Sequence, residues 1–429
     1  MSIGESVFDA MQRAVRPAAE ALAPKRSKLG RGVAARRDAT ARLARWANAS
    51  RDPRVPLLWV HAPSVGEALM AQAIVGALRS ELPTCQIAFT HFSPSAERVA
   101  TAVGADIADY LPWDTGREMR AALDALGPAA IAFVRTEIWP VLTREASRRG
   151  IRLALVNAVL AAGSSRTGRI ARGLLAPAYR RLDAIGAVSA ADATRFGVFG
   201  VDPDRVDVTG DARFDQVHAR VRRLDRDSAL LRRLDAPSAV TLVAGSTWPR
   251  DESFLVPAFR AIHLDGAVRL IIAPHEPTPE HLAALEVRLD GAALTHARLS
   301  RIESGDSDAP AAVVVDRIGV LADLYVLADI AYVGGGFGTA GLHSVVEPAA
   351  LEKPVVFGPR HGNAREAADL AGEGGGFVVR DGAELLARLS RLAARIEDRL
   401  AAGEAARRFV DARLGGAAGN AAMIRSLLA

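Results

Sequence analysis

The stretch "IAYVGGGFGTAGLHSVVEP", residues 330–348, decides the fold. An apolar, strand-like run leads straight into Gly335 and Gly336-x-Gly338-x-x-Gly341, a spacing suited to a turn that holds a phosphate between a strand and a helix. A dinucleotide fold opens with such a fingerprint and needs an acid at the end of its next strand, about 20 residues on. Here the next run, "PVVFGPRHG", ends in Gly358, Pro359 and Arg360, and only 88 residues follow Gly341. The nicotinamide reading fails on that context. What remains is a glycine-rich turn whose backbone N–H groups can approach an anion. A helix is expected from near Leu342, with Glu347 about one and a half turns into it. There its carboxylate could take hydrogen bonds from ribose hydroxyls or stand as a solvated or capping acid.

The rest of the chain repeats the pattern. "LLWVH" (57–61), "QIAFT" (86–90), "AIAFV" (130–134), "LALVN" (153–157) and "AIGAV" (184–188) read as buried parallel strands with helical patterns between them. An Arg-rich stretch, 216–237, interrupts the rhythm as a domain connection. It then resumes with "VTLVAG" (240–245), "VRLIIA" (268–273), "AVVVD" (312–316), "DIAYVG" (329–334), "PVVFG" (354–358) and "GFVV" (376–379). A chain of 429 residues exceeds what one core usually supports. The expected class is α/β: two Rossmann-like domains with parallel sheets facing across an interdomain cleft, ligands lying beyond the carboxyl ends of the strands. The expected bounds are an arm at 1–54, an N-terminal domain at 55–215, the linker at 216–237 and a C-terminal domain with terminal helices at 238–429.

Of the net charge of +5, residues 1–54 carry more than the whole: twelve Arg or Lys stand against five Asp or Glu, and the remaining chain is slightly acidic. Within the arm, Phe8, Met11, Val15, Ala18 and Leu22 recur at helical spacing beside Arg13 and Arg16. Two readings stay open, a helix on an anionic membrane surface and one packed on its own domain, with Pro17 expected to weaken or kink it. Nucleic acid is not an expected partner, since the basic part of the arm has one aromatic, Trp46, and no binding motif. Cys85 is the only cysteine, which excludes an intrachain disulfide and reads as a buried structural thiol. No run approaches a membrane span and no signal peptide is seen, so the expected location is cytoplasmic. No metal or other cofactor is expected: His275, Glu276 and His281 do not make HExxH, and Pro277 and Pro279 oppose the helix such a site needs.

"GGGFGTAGLHSVVEPAALEKPVVFGP" (334–359) resembles the donor-site signature of the bacterial Kdo transferases, and further landmarks follow in the family's order. They are "HAPSVGE" (61–67), "THFSPS" (90–95), "YLPWDT" (110–115), "RTEIWP" (135–140), "GDARFD" (210–215), "GSTWPRDE" (245–252), "APHE" (273–276) and "DRIGVLADLY" (316–325), so the similarity spans residues 57–380. The resemblance implies the GT-B fold and inverting transfer of Kdo from CMP-Kdo to a lipid A precursor, by a protein peripheral to the cytoplasmic face of the inner membrane. It implies Glu67 as general base, with Ser64 and Gly66 in its turn, and Glu137 in positioning the acceptor. Asp114 joins the acceptor side or serves as a helix N-cap. For the departing CMP it implies Arg213, Ser246, Thr247, His275, the backbone at Ile318 and Gly319, the glycines 335, 336, 338 and 341, and Glu347. The chain differs from many members in having Pro274 before the histidine and Arg135 where an acid is usual. Two other classes compete: a GT-B enzyme using a UDP-sugar, as transferase or epimerase, and a non-catalytic protein that binds nucleotide or lipid at a membrane surface.

Overall fold

The computed structural model describes residues 3–22, 24, 27–265, 268–306 and 310–429; residues 1, 2, 23, 25 and 26 of the basic arm lie outside that set. The chain forms two compact units, Met1–Gln216 with Arg413–Ala429, and Val217–Ala412. The last helix, Gly416–Leu428, therefore belongs to the first unit, a correction to the assignment of 238–429 as one domain. Its buried Ala421 and Ile424 share a core with Leu58 and Val60, and Asn420 donates structure to that sheet by accepting the Asn157 N–H at 2.8 Å. The 216–237 connection is largely helical, in Ala212–Arg222 and Ala229–Leu234.

The first unit is a seven-stranded parallel sheet. Its strands are β1 (Leu57–Ala62), β2 (Gln86–His91), β3 (Ile107–Tyr110), β4 (Ala130–Val134), β5 (Arg152–Ala158), β6 (Ala184–Ala187) and β7 (Val206–Val208), in the order β3-β2-β1-β4-β5-β6-β7. All six residues of β1 are buried because the sheet is covered on both faces: Leu57 and Trp59 enter one core with Leu43 and Phe133, Leu58 and Val60 the other. Cys85 is buried at the start of β2, as a structural thiol should be. Burial pushes its pKa up, away from thiolate reactivity.

The second unit repeats the design with β8 (Val240–Thr247), β9 (Val268–Pro274), β10 (His296–Arg298), β11 (Ala312–Val314), β12 (Ile330–Val333), β13 (Val355–Phe357) and β14 (Gly376–Val378). Their order is β10-β11-β9-β8-β12-β13-β14, again all parallel. In both sheets the strand order reverses beside the first strand of the series: β1 lies between β2 and β4, β8 between β9 and β12. Successive crossovers leave opposite faces there and open a crevice at the strands' carboxyl ends. The motifs of interest follow these very strands.

The arm helix Ile3–Leu22 runs through Pro17 as one helix and packs on the first unit. Phe8 rests on its core, Asp9 accepts the Gly116 N–H at 3.1 Å, and Arg16 pairs with Glu118 at 2.8 Å. Met11, Val15 and Leu22 continue the stripe of Phe8 beyond that contact and are 49%, 49% and 80% exposed. No helix among the described residues is long and apolar enough to cross a membrane.

Candidate functional site

At the switch point of the first sheet, the turn after β1 and the turn after β4 deliver Ser64, Glu67 and Glu137 to one cavity of about 340 Å³. Arg135, Arg166, Phe92 and Ser93 complete its wall. Glu67 lies in the first turn of the helix Val65–Glu81, where the helix dipole favours a carboxylate, and the Ser64 hydroxyl donates to its Oε2. Gly66 occupies the same turn, with only the Ser64 hydroxyl near the position a Cβ would take. Burial raises the pKa of Glu137, Arg166 at 3.8 Å opposes the rise, and the charge of Glu67 adds to it. Arg135 sits in the left-handed backbone region, φ 81°, a strained conformation for a side-chain-bearing residue that aims the turn at the cavity.

Asp114 is not among these residues. It is fully buried, and its two oxygens accept from the N–H groups of Val141 (3.1 Å) and Leu142 (2.8 Å), capping the helix Pro140–Ser147. Burial pushes its pKa up to about 7. Its other reading, a helix cap, is the one realised, on a helix distant in sequence.

At the switch point of the second sheet, β8 ends in an irregular register: Ser246 adopts φ 54° and Thr247 pairs with Pro274. Two consecutive buried acids in the next helix fix this end. Asp251 accepts from the Trp248 N–H (3.0 Å), the Gly335 N–H (2.9 Å) and the Tyr332 hydroxyl (2.9 Å), joining the ends of β8 and β12. Glu252 accepts from the Thr247 hydroxyl (2.9 Å) and lies 2.9 Å from His281 Nε2. The other nitrogen of His281, Nδ1, is 3.0 Å from the Glu276 carbonyl, which can only accept, so Nδ1 donates there. The Thr247 proton is thus directed inward, leaving its oxygen without a hydroxyl donor for a ligand. Asp251 and Glu252 were not singled out from the sequence, where "PRDE" reads as ordinary helix-start acids, and His281 entered there only in the metal reading that was set aside.

His275, exposed after β9, stacks on both Trp248 (5.0 Å) and His343 (4.1 Å), and Trp248 Nε1 donates to His343 Nε2 at 3.2 Å. Burial and the neighbouring His275 lower the His343 pKa to about 4. Ile318 is 62% exposed beside Gly319, which takes φ 97°.

The glycines divide by role. Gly335 needs its left-handed φ of 94°, gives its N–H to Asp251, and a Cβ on it would strike the Gly341 carbonyl. A Cβ on Gly336 would sit 2.7 Å from the Gly358 N. Gly341, at φ 86°, lies against Asn363, which brackets Leu342 by bonding its N–H and its carbonyl. Gly338 alone of the four is open, with nothing nearer than 3.9 Å. The helix expected from Leu342 begins at Val346, because Asn363 holds residue 342 in an irregular turn. Glu347 consequently sits in the first turn of the helix Val346–Ala350, with Arg220 at 3.4 Å. Burial raises its pKa, with Arg220 opposing. Arg213 belongs to the first unit and pairs with Asp211 at 3.1 Å, whereas Ser246, Thr247, His275, Ile318, Gly319 and Glu347 belong to the second. Among the described residues no cluster suited to a metal ion occurs.

The family profile described as 3-deoxy-D-manno-octulosonic-acid transferase (kdotransferase) matches residues 37–216, the larger part of the first unit. The chain is 29% identical over 389 residues to a 3-deoxy-D-manno-octulosonic acid transferase of Bordetella pertussis, covering 88% of this chain and 89% of that one. Along most of its length the chain is similar to Kdo transferases. Similar transferases occur in Haemophilus influenzae, 26% identical over 305 residues and 70% of each chain, and in Chlamydia trachomatis, 28% over 319 residues, 71% of this chain and 70% of that one. The solved structure of UDP-GlcNAc 2-epimerase from Neisseria meningitidis bound to UDP-GlcNAc matches 87% of this chain and 99% of its own, with a TM-score of 0.59 at 12% identity. A glycosyltransferase from Rickettsia africae matches 87% and 98%, with a TM-score of 0.54 at 9% identity. The fold is GT-B, as the resemblance to the Kdo transferases implies.

Proposed function

We propose that this chain is a member of the Kdo-transferase family, an inverting glycosyltransferase that moves Kdo from CMP-Kdo to a lipid A precursor at the cytoplasmic face of the inner membrane. The observation that carries the reading is the convergence of Glu67 and Glu137 on one cavity at the switch point of the first sheet. Inversion needs one base on the acceptor side. Glu67, oriented by the Ser64 hydroxyl, takes the proton of the acceptor hydroxyl as its oxygen forms the bond to the anomeric carbon and CMP leaves from the opposite face. Glu137, held higher in pKa by burial, accepts or donates a hydrogen bond to the acceptor and sets its orientation. The donor lies at the carboxyl ends of β8, β9 and β12, where the Trp248, His275 and His343 stack and the open Gly338 turn offer an aromatic face and backbone donors. Thr247 acts by holding the strand end, and Ser246 is left to meet the ligand. No cofactor enters the step. The arm helix, which also carries Arg13, supplies membrane contact through Met11, Val15 and Leu22.

Fold likeness to a structure bound to UDP-GlcNAc keeps one second reading in view, a UDP-sugar as donor. The test is incubation with CMP-Kdo generated in situ and tetraacylated lipid A precursor, followed by mass spectrometry of the lipid. In parallel, CMP and UDP are compared for thermal stabilisation of the protein. The proposal expects Kdo mass increments and stabilisation by CMP alone. Unmodified lipid together with stabilisation by UDP favours the second reading, and no response to either nucleotide favours a non-catalytic protein.

A further inference from the structure

Three rings meet where the turns after β8, β9 and β12 come together. Trp248 stacks on His275 at 5.0 Å, His275 stacks on His343 at 4.1 Å, and Trp248 Nε1 lies 3.2 Å from His343 Nε2. The indole N–H can only donate, so the imidazole nitrogen that faces it carries no proton. Burial and His275 lower the His343 pKa to about 4, and the ring is neutral at neutral pH. A neutral imidazole holds one proton, and with Nε2 bare that proton is on Nδ1. Trp248 is itself anchored, because its backbone N–H is held by Asp251 at 3.0 Å.

His343 Nδ1 makes no hydrogen bond among the described residues, and it is not one of the buried side-chain atoms, so its N–H is open to a ligand. The ring lies against the glycine turn. The His343 backbone N–H donates to the Gly334 carbonyl at 3.2 Å, and a Cβ on Gly335 would stand 3.3 Å from His343 Cδ2. That turn has spent its first two backbone donors inside the fold: Gly334 gives its N–H to the Gly245 carbonyl and Gly335 gives its own to Asp251, each at 2.9 Å. Whether the imidazole beside them attracts or repels an anion then depends on which nitrogen holds the proton. With the proton on Nδ1 the open atom is a donor; with the proton on Nε2 it would be a lone pair.

We propose that Trp248 is a positioning residue that locks His343 in the Nδ1–H tautomer, so that the imidazole meets an anionic oxygen of the nucleotide donor, phosphate or sugar carboxylate, as a neutral N–H donor. The inference rests on the assignment of the donor to these strand ends. Trp248 acts through His343 and need not touch the ligand. A neutral imidazole keeps its remaining proton, so the ring supports negative charge on the donor without transferring a proton to it.

The experiment uses the full chain, labelled with nitrogen-15 histidine, as parent, Trp248→Phe, His343→Phe and the double variant; phenylalanine keeps a ring in each stack and removes the nitrogens. Nitrogen NMR at neutral pH should show the histidine whose signals vanish in His343→Phe with a bare Nε2 and a protonated Nδ1, and Trp248→Phe should turn it into a mixture of tautomers. Calorimetry compares CMP and UDP with cytidine and uridine, which lack the phosphate. Trp248→Phe is expected to weaken CMP binding several-fold and His343→Phe about tenfold, with cytidine unaffected and the double variant no worse than His343→Phe alone. Weakened CMP binding assigns the phosphate, and unchanged CMP binding with a raised KM for CMP-Kdo assigns the carboxylate. A parent His343 protonated at Nε2, or losses that add in the double variant, overturn the proposal. The tautomer lock in a protein whose UDP binding, not CMP binding, responds to both residues sinks the Kdo donor while the lock stands. Turnover of CMP-Kdo that ignores both residues sinks the lock's role while the reaction stands.

Discussion

Replacing Asp251 by Ala should unfold the second unit far more easily than replacing it by Asn. The carboxylate is fully buried and accepts three hydrogen bonds, two at Oδ2 from the Trp248 and Gly335 N–H groups and one at Oδ1 from the Tyr332 hydroxyl. Alanine strands three donors, each costing about 1–3 kcal/mol, so a loss of roughly 3–6 kcal/mol is expected after partial relaxation. Asparagine can place its amide oxygen where Oδ2 stands and keep both backbone bonds, while its NH2 donates to the Tyr332 oxygen. Only the charge assistance is lost, about 1–2 kcal/mol. In urea, with a slope of about 2 kcal/mol per M, the alanine variant should shift the transition of the second unit down by about 2 M and the asparagine variant by less than about 1 M. Circular dichroism follows the transition, and hydrogen exchange of the peptide containing Gly335 assigns it. An alanine midpoint within about 0.3 M of the parent, or an asparagine variant as damaged as the alanine one, would refute the reasoning.

Three further outcomes are expected. Asp114, raised to about 7 when folded and near 3.8 when unfolded, binds its proton more tightly in the native state. Its contribution is complete below pH 3.8 and is lost as pH rises through about 7, so thermal stability relative to Asp114→Asn should fall across that window and level off above it. Gly338→Ala should leave the melting temperature nearly unchanged and weaken CMP binding, since its surroundings are open, whereas Gly335→Ala should destabilise the unit outright; equal melting temperatures for the two variants would contradict this. Substituting Met11, Val15 and Leu22 by Asp should reduce sedimentation with anionic vesicles at least several-fold without lowering the melting temperature, and added salt should weaken binding of the parent.

What could be read in advance follows from how local each signal is. The central strands were legible because two-sided burial makes them continuous apolar runs. β3, β7 and β10 were not, since edge strands such as Val206–Val208 are partly exposed and read as loop. Glu67 and Glu137 were singled out through the resemblance, since an acid after a strand alone reads as a helix-start residue; they line one cavity because each follows a buried strand and adjacent strands at a switch point bring such turns together. The partner of Asp114 was hidden, lying 27 residues away on a different helix. Asp251, Glu252 and His281 were hidden for a related reason: their partners at Gly335, Thr247 and Glu276 come from several strand ends, and helix-start acids carry no mark of what they will accept. The glycines were legible as a turn but not in their roles, for close approach to Gly358 or Gly341 is a property of the assembled sheet.

The central claim is tested most directly by one assay of the full chain and its Glu67→Gln variant side by side, with CMP-Kdo and lipid A precursor, read by mass spectrometry of the lipid. The account predicts Kdo-bearing lipid from the parent, and from the variant a rate lower by about 10²–10⁴-fold with CMP binding intact. Full activity in a folded, CMP-binding Glu67→Gln protein would contradict the assignment of the base, and unmodified lipid from the parent would contradict the reaction.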